Sequence, residues 1–598
     1  MGVFDTIKRE YTYFSTIRGT LKRLGDITPG TKRTVADDYE ASVDQHRRNV
    51  AVRFEDKLFT YEEFDARANQ YANWALSQGY KPGDAVALFM ENKPDFIAFW
   101  IGLSKVGVIT ALINNQLQGQ GLAHCVNIAS AKALVAGPEQ AELLDTAREL
   151  FSDELEIWSV GGDIPGAKAM DDKFAELSTE RPDASIRENM TVDDVCLYVY
   201  TSGTTGLPKA ARLTHARTIG MLNSFIVPCR ITSRDRIYMT LPLYHGTGGI
   251  CGVGQALLTG ASLILRRKFS ASSFWEDAVE YGATSFVYIG ELCRYLMNTP
   301  EHPLEKQHKI RTGFGNGLRP EVWERFVERF GIEHLVEFYG STEGNVSFIN
   351  SDGKIGAVGR LPKYMEGRIH TKIVKFDIAE EKPIRDADGF CIEADVNEAG
   401  EAIGMIGETA RFDGYNDKEQ TEKKILRDVF EPGDMWFRTG DLLKKDEHAY
   451  FYFVDRIGDT FRWKAENVST NEVAEALAVF PAIELPNVYG VAMPDTDGRA
   501  GMAAVKLLPN AEFDGKALAA HVDTQLPTYA RPIFIRVQPD AETTGTFKYR
   551  KVELVKEGYD LSKVDAEDTV YVRLPGTDEY VPLTPEVQAQ IDNGEIKF

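Results

Sequence analysis

The chain is poor in cysteine, has no long apolar run and carries no excess of positive charge. Its six cysteines in 598 residues, Cys125, Cys196, Cys229, Cys251, Cys293 and Cys391, are scattered without C-x-x-C spacing, and only His124 stands beside one of them. Neither a disulfide framework nor a zinc site fits that distribution, and a reducing cytosol does. The nearest approach to a membrane span, Ile250 to Leu265, is broken by Gln255 and three glycines and reads as a buried helix followed by a strand. A signal peptide's apolar core is missing at the N-terminus. The formal net charge of −22 argues against nucleic acid as a partner. Neither an internal repeat nor a low-complexity segment interrupts the chain.

With 43% hydrophobic and 26% charged residues, the composition is that of a soluble enzyme, too long for a single core. At the N-terminus, Phe4, Ile7, Tyr11, Phe14, Ile17 and Leu21 recur at helical spacing with Lys8, Arg9, Arg18, Lys22 and Arg23 between them. This basic amphipathic helix has two readings. Residues 3–23 make a peripheral contact at the inner face of a membrane, or the apolar stripe packs on the body of a cytoplasmic protein. From about Asn49 helices and strands alternate. Thr60 to Glu63 has capping-box spacing, Asp84 to Met90 and Val108 to Ile113 read as buried strands, and Pro94 to Lys105 reads as the helix between them. The pattern is α/β, with helices covering parallel sheets.

The stretch that carries most chemistry is Tyr200 to Ala211, Y-T-S-G-T-T-G-L-P-K-A-A, after the apolar run Val195 to Val199. Gly203 and Gly206 leave backbone N–H groups open to phosphate oxygens. Thr201, Ser202, Thr204 and Thr205 add hydroxyls, and Lys209 adds a charge. A lone G-T-T-G would be better read as a turn between strands. Walker-loop spacing is absent, since Pro208 precedes the lysine and no Ser/Thr follows it.

Further motifs follow in order. Leu241 to His245 is L-P-L-Y-H, which contains Tyr244 and His245. Gly315, Asn316 and Gly317 precede Phe338 to Asn345, F-Y-G-S-T-E-G-N. There Tyr339 offers a flat face for a purine beside Gly340, Thr342 offers a hydroxyl for phosphate, and Glu343 offers a carboxylate for Mg²⁺. In W-F-R-T-G-D, Asp441 can accept from both ribose hydroxyls, as carboxylates do in dinucleotide folds. In Y-F-V-D-R-I-G-D-T-F-R-W-K-A-E-N-V-S, Arg456 would bridge nucleotide and protein, Gly458 gives the backbone a freely rotating point beside it, and Ser469 and Glu472 have capping-box spacing.

Together these motifs resemble the adenylate-forming enzymes. The wording T-F-R-W-K, E-N-V-S-T, the run Val488 to Val505, T-T-G-T-F-K and Y-V-R-L-P is similar to the fatty acid transport protein or very-long-chain acyl-CoA synthetase branch, from about Asn49 to the C-terminus. The resemblance implies a lead-in at 1–48, a large AMP-binding region of several helix-covered sheets at 49–454, and a small mobile α+β domain at 455–598 with its hinge near 455–459. It implies ATP-dependent activation of a long- or very-long-chain fatty acid through an acyl-adenylate, with Mg²⁺, and transfer to CoA. Thr204, Glu343 and Lys548 would be catalytic, Tyr244 and His245 would border the acyl pocket, and Lys464, Ala465 and Glu466 would line the CoA path. Bile or sterol acids, fatty-acid uptake at a membrane, and transfer to a carrier-protein thiol are the alternatives. Two departures stand out: Ala465 occupies a position where related synthetases usually carry Gly, and Thr546 and Phe547 separate Gly545 from Lys548.

Overall fold

The computed structural model describes residues 3–201, 207–378, 380–407, 410–464, 466–494, 498–539 and 551–598. The candidates Ser202, Gly203, Thr204, Thr205, Gly206, Ala465 and Lys548 lie outside the described residues. The chain divides into two compact units, Met1–Gly359 with Ile406–Ile425, and Arg360–Met405 with Leu426–Phe598.

The first unit holds two large sheets. One runs in the order Ser347–Asn350, His334–Gly340, Thr312–Asn316, Ser285–Ile289, Arg236–Met239, Ser262–Leu265, Val50–Phe54, Lys57–Thr60. Its interior pairs are parallel and its two edge strands antiparallel. The other sheet is parallel from Lys168–Ala169 through Ala85–Phe89 and Ile109–Leu112 to Val195–Thr201, where Lys209–Thr214 closes it antiparallel. Every residue of Ala85–Phe89 and Ile109–Leu112 is buried, as expected of strands covered on both faces. Pro94 opens the intervening helix, Pro94–Ser104, where its missing N–H costs nothing. The capping box at Thr60 is formed: the Glu63 N–H donates to Thr60 Oγ1 at 3.2 Å and the Thr60 N–H to Glu63 Oε2 at 2.8 Å.

The second unit contains an antiparallel sheet that includes Thr371–Asp377, Gly400–Met405, Met435–Lys445 and Tyr450–Arg456. It also contains a five-stranded sheet beginning with Ile483–Ala492 and Arg499–Leu507. In sequence, 455–459 covers the last two residues of the strand Tyr450–Arg456 and the turn that follows it. Ser469 caps the helix Thr470–Ala478, accepting from the Glu472 N–H at 3.2 Å.

The N-terminal segment is helical over Val3–Leu24, but of its apolar stripe only Ile17 is half-buried. Phe4, Ile7, Tyr11, Phe14 and Leu21 are exposed, whereas Tyr13 is buried. Gly19 explains the choice of face. A Cβ there would lie 2.9 Å from Val227 Cγ1, so the glycine permits an approach that a larger residue would block.

One charge cluster ties three helices of the first unit together. Lys105 is fully buried, and its ammonium donates to Asp65 at 2.5 Å and Asn69 at 2.6 Å and lies 3.2 Å from Glu40. Arg181 and Arg187 also reach Asp65 and Glu40, but the oxygens that face Lys105 are buried and lose their cation if it is removed. Lys105→Ala is expected to cost about 3–5 kcal/mol and to lower the thermal transition clearly; an unchanged transition would show the cluster to be dispensable.

Candidate active site

The glycine-rich stretch sits at the end of a hairpin. Thr201, the last residue of Val195–Thr201, is the register partner of Lys209, the first of Lys209–Thr214. Alternation of buried apolar residues fixes this register, because a slip by one would bring Arg212 inside. The hairpin is continued by residues 414–416. The Arg212 N–H donates to the Gly414 carbonyl at 3.1 Å, the Asn416 N–H donates to the Ala210 carbonyl at 3.1 Å, and Ala211 bridges Tyr415. Gly414 has φ +72°, which suits glycine at this bend.

Tyr415 then meets two of the expected site residues. Its hydroxyl donates to Glu343 Oε1 at 2.7 Å, and the Lys209 ammonium lies 5.7 Å from its ring centroid. Glu343 and Tyr415 are both buried. Burial, and then the Glu343 charge, push the Tyr415 phenol well above its ordinary range, so it remains a donor. Burial lowers the Lys209 pKa, and the neighbouring Lys424 and Lys423 lower it further, against the pull of Glu343 and Asp417. Three lysines that repel one another beside a carboxylate make a place where an anion is favoured. A cleft of ≈ 430 Å³ opens beside Tyr415, lined also by Asp193, Arg212, Thr214 and Asp413.

Arg217 shapes the loop that carries Thr342 and Glu343. The strand His334–Gly340 pairs with Ser347–Asn350 with Gly340 opposite Ser347, leaving 341–346 as their connection. From the helix His215–Asn223, Arg217 Nε donates to the Thr342 carbonyl at 2.6 Å, and Nη2 donates to the carbonyls of Ser341 and Gly344. One planar guanidinium thus gathers three carbonyls. Burial lowers its pKa, opposed by Asp413 and Glu343.

The remaining candidates of this unit lie near the carboxyl ends of parallel strands, the usual ligand side of an open α/β sheet. Asn316 ends Thr312–Asn316, and Tyr339 and Gly340 end His334–Gly340; Tyr339 is half-buried, with its ring 6.1 Å from that of Phe348. Gly317 has φ +79°, and a Cβ at Gly290 would lie 1.7 Å from its carbonyl oxygen, so two chain turns meet here backbone to backbone. Beneath them is Glu337, fully enclosed, accepting from the Tyr288 hydroxyl at 2.9 Å and the Leu318 N–H at 3.0 Å. Burial raises its pKa to about 8, with hydrogen bonds from Leu318 and Tyr288 opposing. His245 precedes the π-helical turn Gly246–Gly252, and its ring lies 4.5 Å from that of buried Tyr244. Gly246 is close to the phosphate candidate, since a Cβ on it would lie 3.9 Å from Thr342 Oγ1.

In the second unit, Asp441 and Arg456 are register partners on adjacent strands, with Arg456 Nε 4.0 Å from Asp441 Oδ1. Asp455 is buried and accepts from the Thr470 N–H at 2.6 Å; burial raises its pKa against the charge of Lys551. Lys551 begins a helix, Lys551–Glu557, and does not continue a strand. Its ammonium donates to Asp459 at 2.9 Å and Thr470 at 3.1 Å. Lys464, at φ +50°, turns between Phe461–Trp463 and Glu466–Val468, with its ammonium 5.7 Å from the Trp463 ring; Glu466 is exposed.

Tyr415, Arg217 and Glu337 are the site residues that sequence reasoning missed. The F-D-G-Y-N run at 412–416 carried the only local signal, an aromatic next to a turn glycine. Two outcomes are expected. Tyr415→Phe removes a hydrogen bond to a charged group, worth about 1.5–3 kcal/mol, and should lower the melting temperature and weaken metal-nucleotide binding by titration calorimetry in protein that is still folded. Unchanged binding would remove Tyr415 from the site. The unfolded Glu337 carboxyl titrates near 4.5 and the folded one near 8, so the folded state binds the proton more tightly. Stability from this group is complete below 4.5 and is lost as pH rises to 8. The melting temperature of Glu337→Gln should lack that decline relative to the parent chain; parallel profiles would contradict the assignment.

Residues 39–386 match the family described as AMP-binding enzyme. The chain is 43% identical over 551 residues to rat long-chain fatty acid transport protein 2, covering 91% of this chain and 88% of that one. It is 41% identical over 546 residues to human long-chain fatty acid transport protein 1, covering 90% and 84%. Among solved structures, an anthranilate CoA ligase in complex with anthranoyl-AMP superposes with a TM-score of 0.74 at 22% identity, covering 89% of this chain and 97% of that one. A fatty acyl CoA synthetase of Mycobacterium tuberculosis superposes with a TM-score of 0.62 at 21% identity, covering 88% and 98%. The fold is therefore that of the adenylate-forming enzymes, and the chain belongs to the AMP-binding enzyme family, among the long-chain fatty acid transport proteins.

Proposed function

We propose that the protein is an ATP-dependent, AMP-forming ligase that activates long- or very-long-chain fatty acids and passes them to CoA. The observation that carries this reading is the pairing of Lys209 and Glu343 across Tyr415, with Lys423 and Lys424 adding positive charge nearby. Joining a carboxylate to a nucleoside triphosphate brings two anions together, and the main demand is positive charge at the phosphates. One oxygen of the fatty carboxylate bonds to the α-phosphorus and pyrophosphate departs. The CoA sulfur then bonds to the acyl carbon, and AMP leaves with the electron pair of the broken C–O bond.

Within this reading Lys209 holds phosphate oxygens together with the amides and hydroxyls of 201–206. Tyr339 lies against the purine, Gly315, Asn316, Gly317 and Gly340 let the nucleotide approach, and Thr342 donates to phosphate. Asp441 takes the ribose hydroxyls, and Arg456, opposite it in the strand register, bridges nucleotide and protein. Among the described residues no three His, Cys, Asp or Glu side chains gather to hold a metal alone. A single carboxylate such as Glu343 does fit Mg²⁺, which takes its other oxygens from phosphates and water. When bound, the ion would spread the charge of the triphosphate. We assign 455–598 as the small domain with its hinge near 455–459, Lys548 to adenylation, and Lys464, Ala465 and Glu466 to the CoA path. The engagement of Lys551 with Asp459 and Thr470 supports Lys548 over Lys551.

A pyrophosphate-release screen of carboxylic acids with and without CoA, followed by mass spectrometry, tests acid and acceptor together. Palmitoyl-CoA and its longer homologues are the expected products; a sterol-acid thioester, or an adenylate that CoA does not consume, would displace the reading. Glu343→Gln should cut ATP–pyrophosphate exchange by about a hundredfold and leave fatty-acid binding unchanged. Lys548→Ala should abolish adenylation yet spare conversion of a supplied acyl-adenylate, and the same split in Lys551→Ala alone would move the role.

A further inference from the structure

The antiparallel sheet of the second unit is interrupted where it carries Asp441. Between the strands Gly400–Met405 and Met435–Lys445, Glu401 lies opposite Leu442 and Ile403 lies opposite Arg438. Ala402 alone therefore faces Thr439, Gly440 and Asp441, and the longer side has to bulge out of the ladder. Backbone groups displaced in this way need other partners. Thr439 Oγ1 donates to the Ala402 carbonyl at 2.7 Å and accepts from the Asp441 N–H at 3.1 Å, and the Gly440 carbonyl accepts from the Ile457 N–H at 2.9 Å. Gly440 has φ +80°, and its N–H donates to Glu401 Oε1 at 3.3 Å.

Glu401 is fully buried, and Arg438 grips the same carboxylate. Arg438 Nε lies 3.1 Å from both oxygens, and Nη2 donates to Oε2 at 2.7 Å. An apolar side chain would fill this space without taking a charge out of water, so stability of the sheet alone does not call for a carboxylate. Two tasks do call for one. Only an acceptor can take the Gly440 N–H, and only an anion holds the guanidinium by two bonds. Glu401 thus fixes the residue before the bulge and the glycine inside it, and Asp441 follows that glycine directly. We propose that Glu401 is a positioning residue for the nucleotide: it touches no ligand, and through Gly440 and Arg438 it sets the direction in which Asp441 meets the ribose hydroxyls. The inference rests on the reading of Asp441 as the group that takes those hydroxyls. It places the control of ribose recognition on the neighbouring strand, 39 positions ahead of Gly440. Bulges commonly re-aim a side chain beside an active site, and a buried brace keeps the aim narrow.

The test compares ATP with 2′,3′-dideoxy-ATP, which lacks both hydroxyls, by titration calorimetry of the full chain with Mg²⁺ and without acid or CoA. The parent chain should bind ATP the more tightly. Glu401→Leu fills the space and takes neither bond, and should weaken ATP about tenfold but the dideoxy nucleotide less than about twofold. Glu401→Gln keeps an acceptor for Gly440 and loses the charge that holds Arg438; it should weaken ATP about threefold, and it carries the test if the melting curve shows the leucine variant unfolded. Joining Glu401→Leu to Asp441→Ala should weaken ATP no further than Asp441→Ala alone, because the two act through one contact. Equal weakening of both nucleotides, or discrimination unchanged in both Glu401 variants, overturns the inference and leaves the pair a brace of the sheet only. Asp441→Ala separates the two levels of the argument. If it still discriminates as the parent chain does, the ribose reading falls and the inference with it; if it does not discriminate while the Glu401 variants do, the inference alone falls.

Discussion

The hydrogen bond from Tyr415 to Glu343 is the contact on which the rest of the candidate site depends. It fastens residues 410–416 to the 341–346 loop, and the backbone bonds of Gly414 and Asn416 fasten the same segment to the hairpin that carries Lys209. Two sheets of the first unit each deliver one charge of the site, the cation from one and the carboxylate from the other. A bare carboxylate beside a bare lysine would collapse into an ion pair and leave neither for a ligand. With the phenol on Glu343 and the ring under Lys209, both groups are held and remain addressable. The strong upward pull on the Tyr415 pKa means the bond is a neutral donor to a charge, so it does not consume the carboxylate's charge.

Around that contact the supporting residues work by removing freedom. Arg217 spends its donors on the carbonyls of Ser341, Thr342 and Gly344, which leaves the side chains of Thr342 and Glu343 to face elsewhere. Glu337 does the same one turn earlier for Leu318, below Gly317. Both are charged or titratable groups taken out of water, and both carry pKa shifts set chiefly by burial. They hold loops that must be polar for ligand binding and therefore cannot be fixed by apolar packing.

Much of this was legible in the sequence, and the illegible part has physical reasons. The buried strands follow from apolar runs, and the caps at Thr60 and Ser469 from partners three positions away. Arg217 has partners 124 to 127 positions downstream, and nothing near it in sequence points to them. Tyr415 belongs to a short segment whose meaning comes from lying beside Ala211. Periodicity correctly found the N-terminal helix but could not say which side faces protein. It counted apolar residues, whereas the deciding feature was Gly19, the one position thin enough for close approach.

The same distinction bears on the second unit. The antiparallel register places Asp441 and Arg456 opposite one another. That pairing costs little, because Arg456 is about half exposed and water screens the 4.0 Å approach. The next residue is different. Asp455 is buried, and Thr470 satisfies it through both its backbone N–H and its hydroxyl. Lys551 reaches the same threonine and Asp459 from a separate helix. Lys551, 81 positions beyond Thr470, therefore ties its helix to both the turn after the strand and the start of the next helix. The Arg456 side chain beside buried Asp455 is exposed, while its backbone is still paired with Asp441 at the end of the strand. Gly458, with φ +95°, follows two residues later, in a region of backbone space that few other residues tolerate.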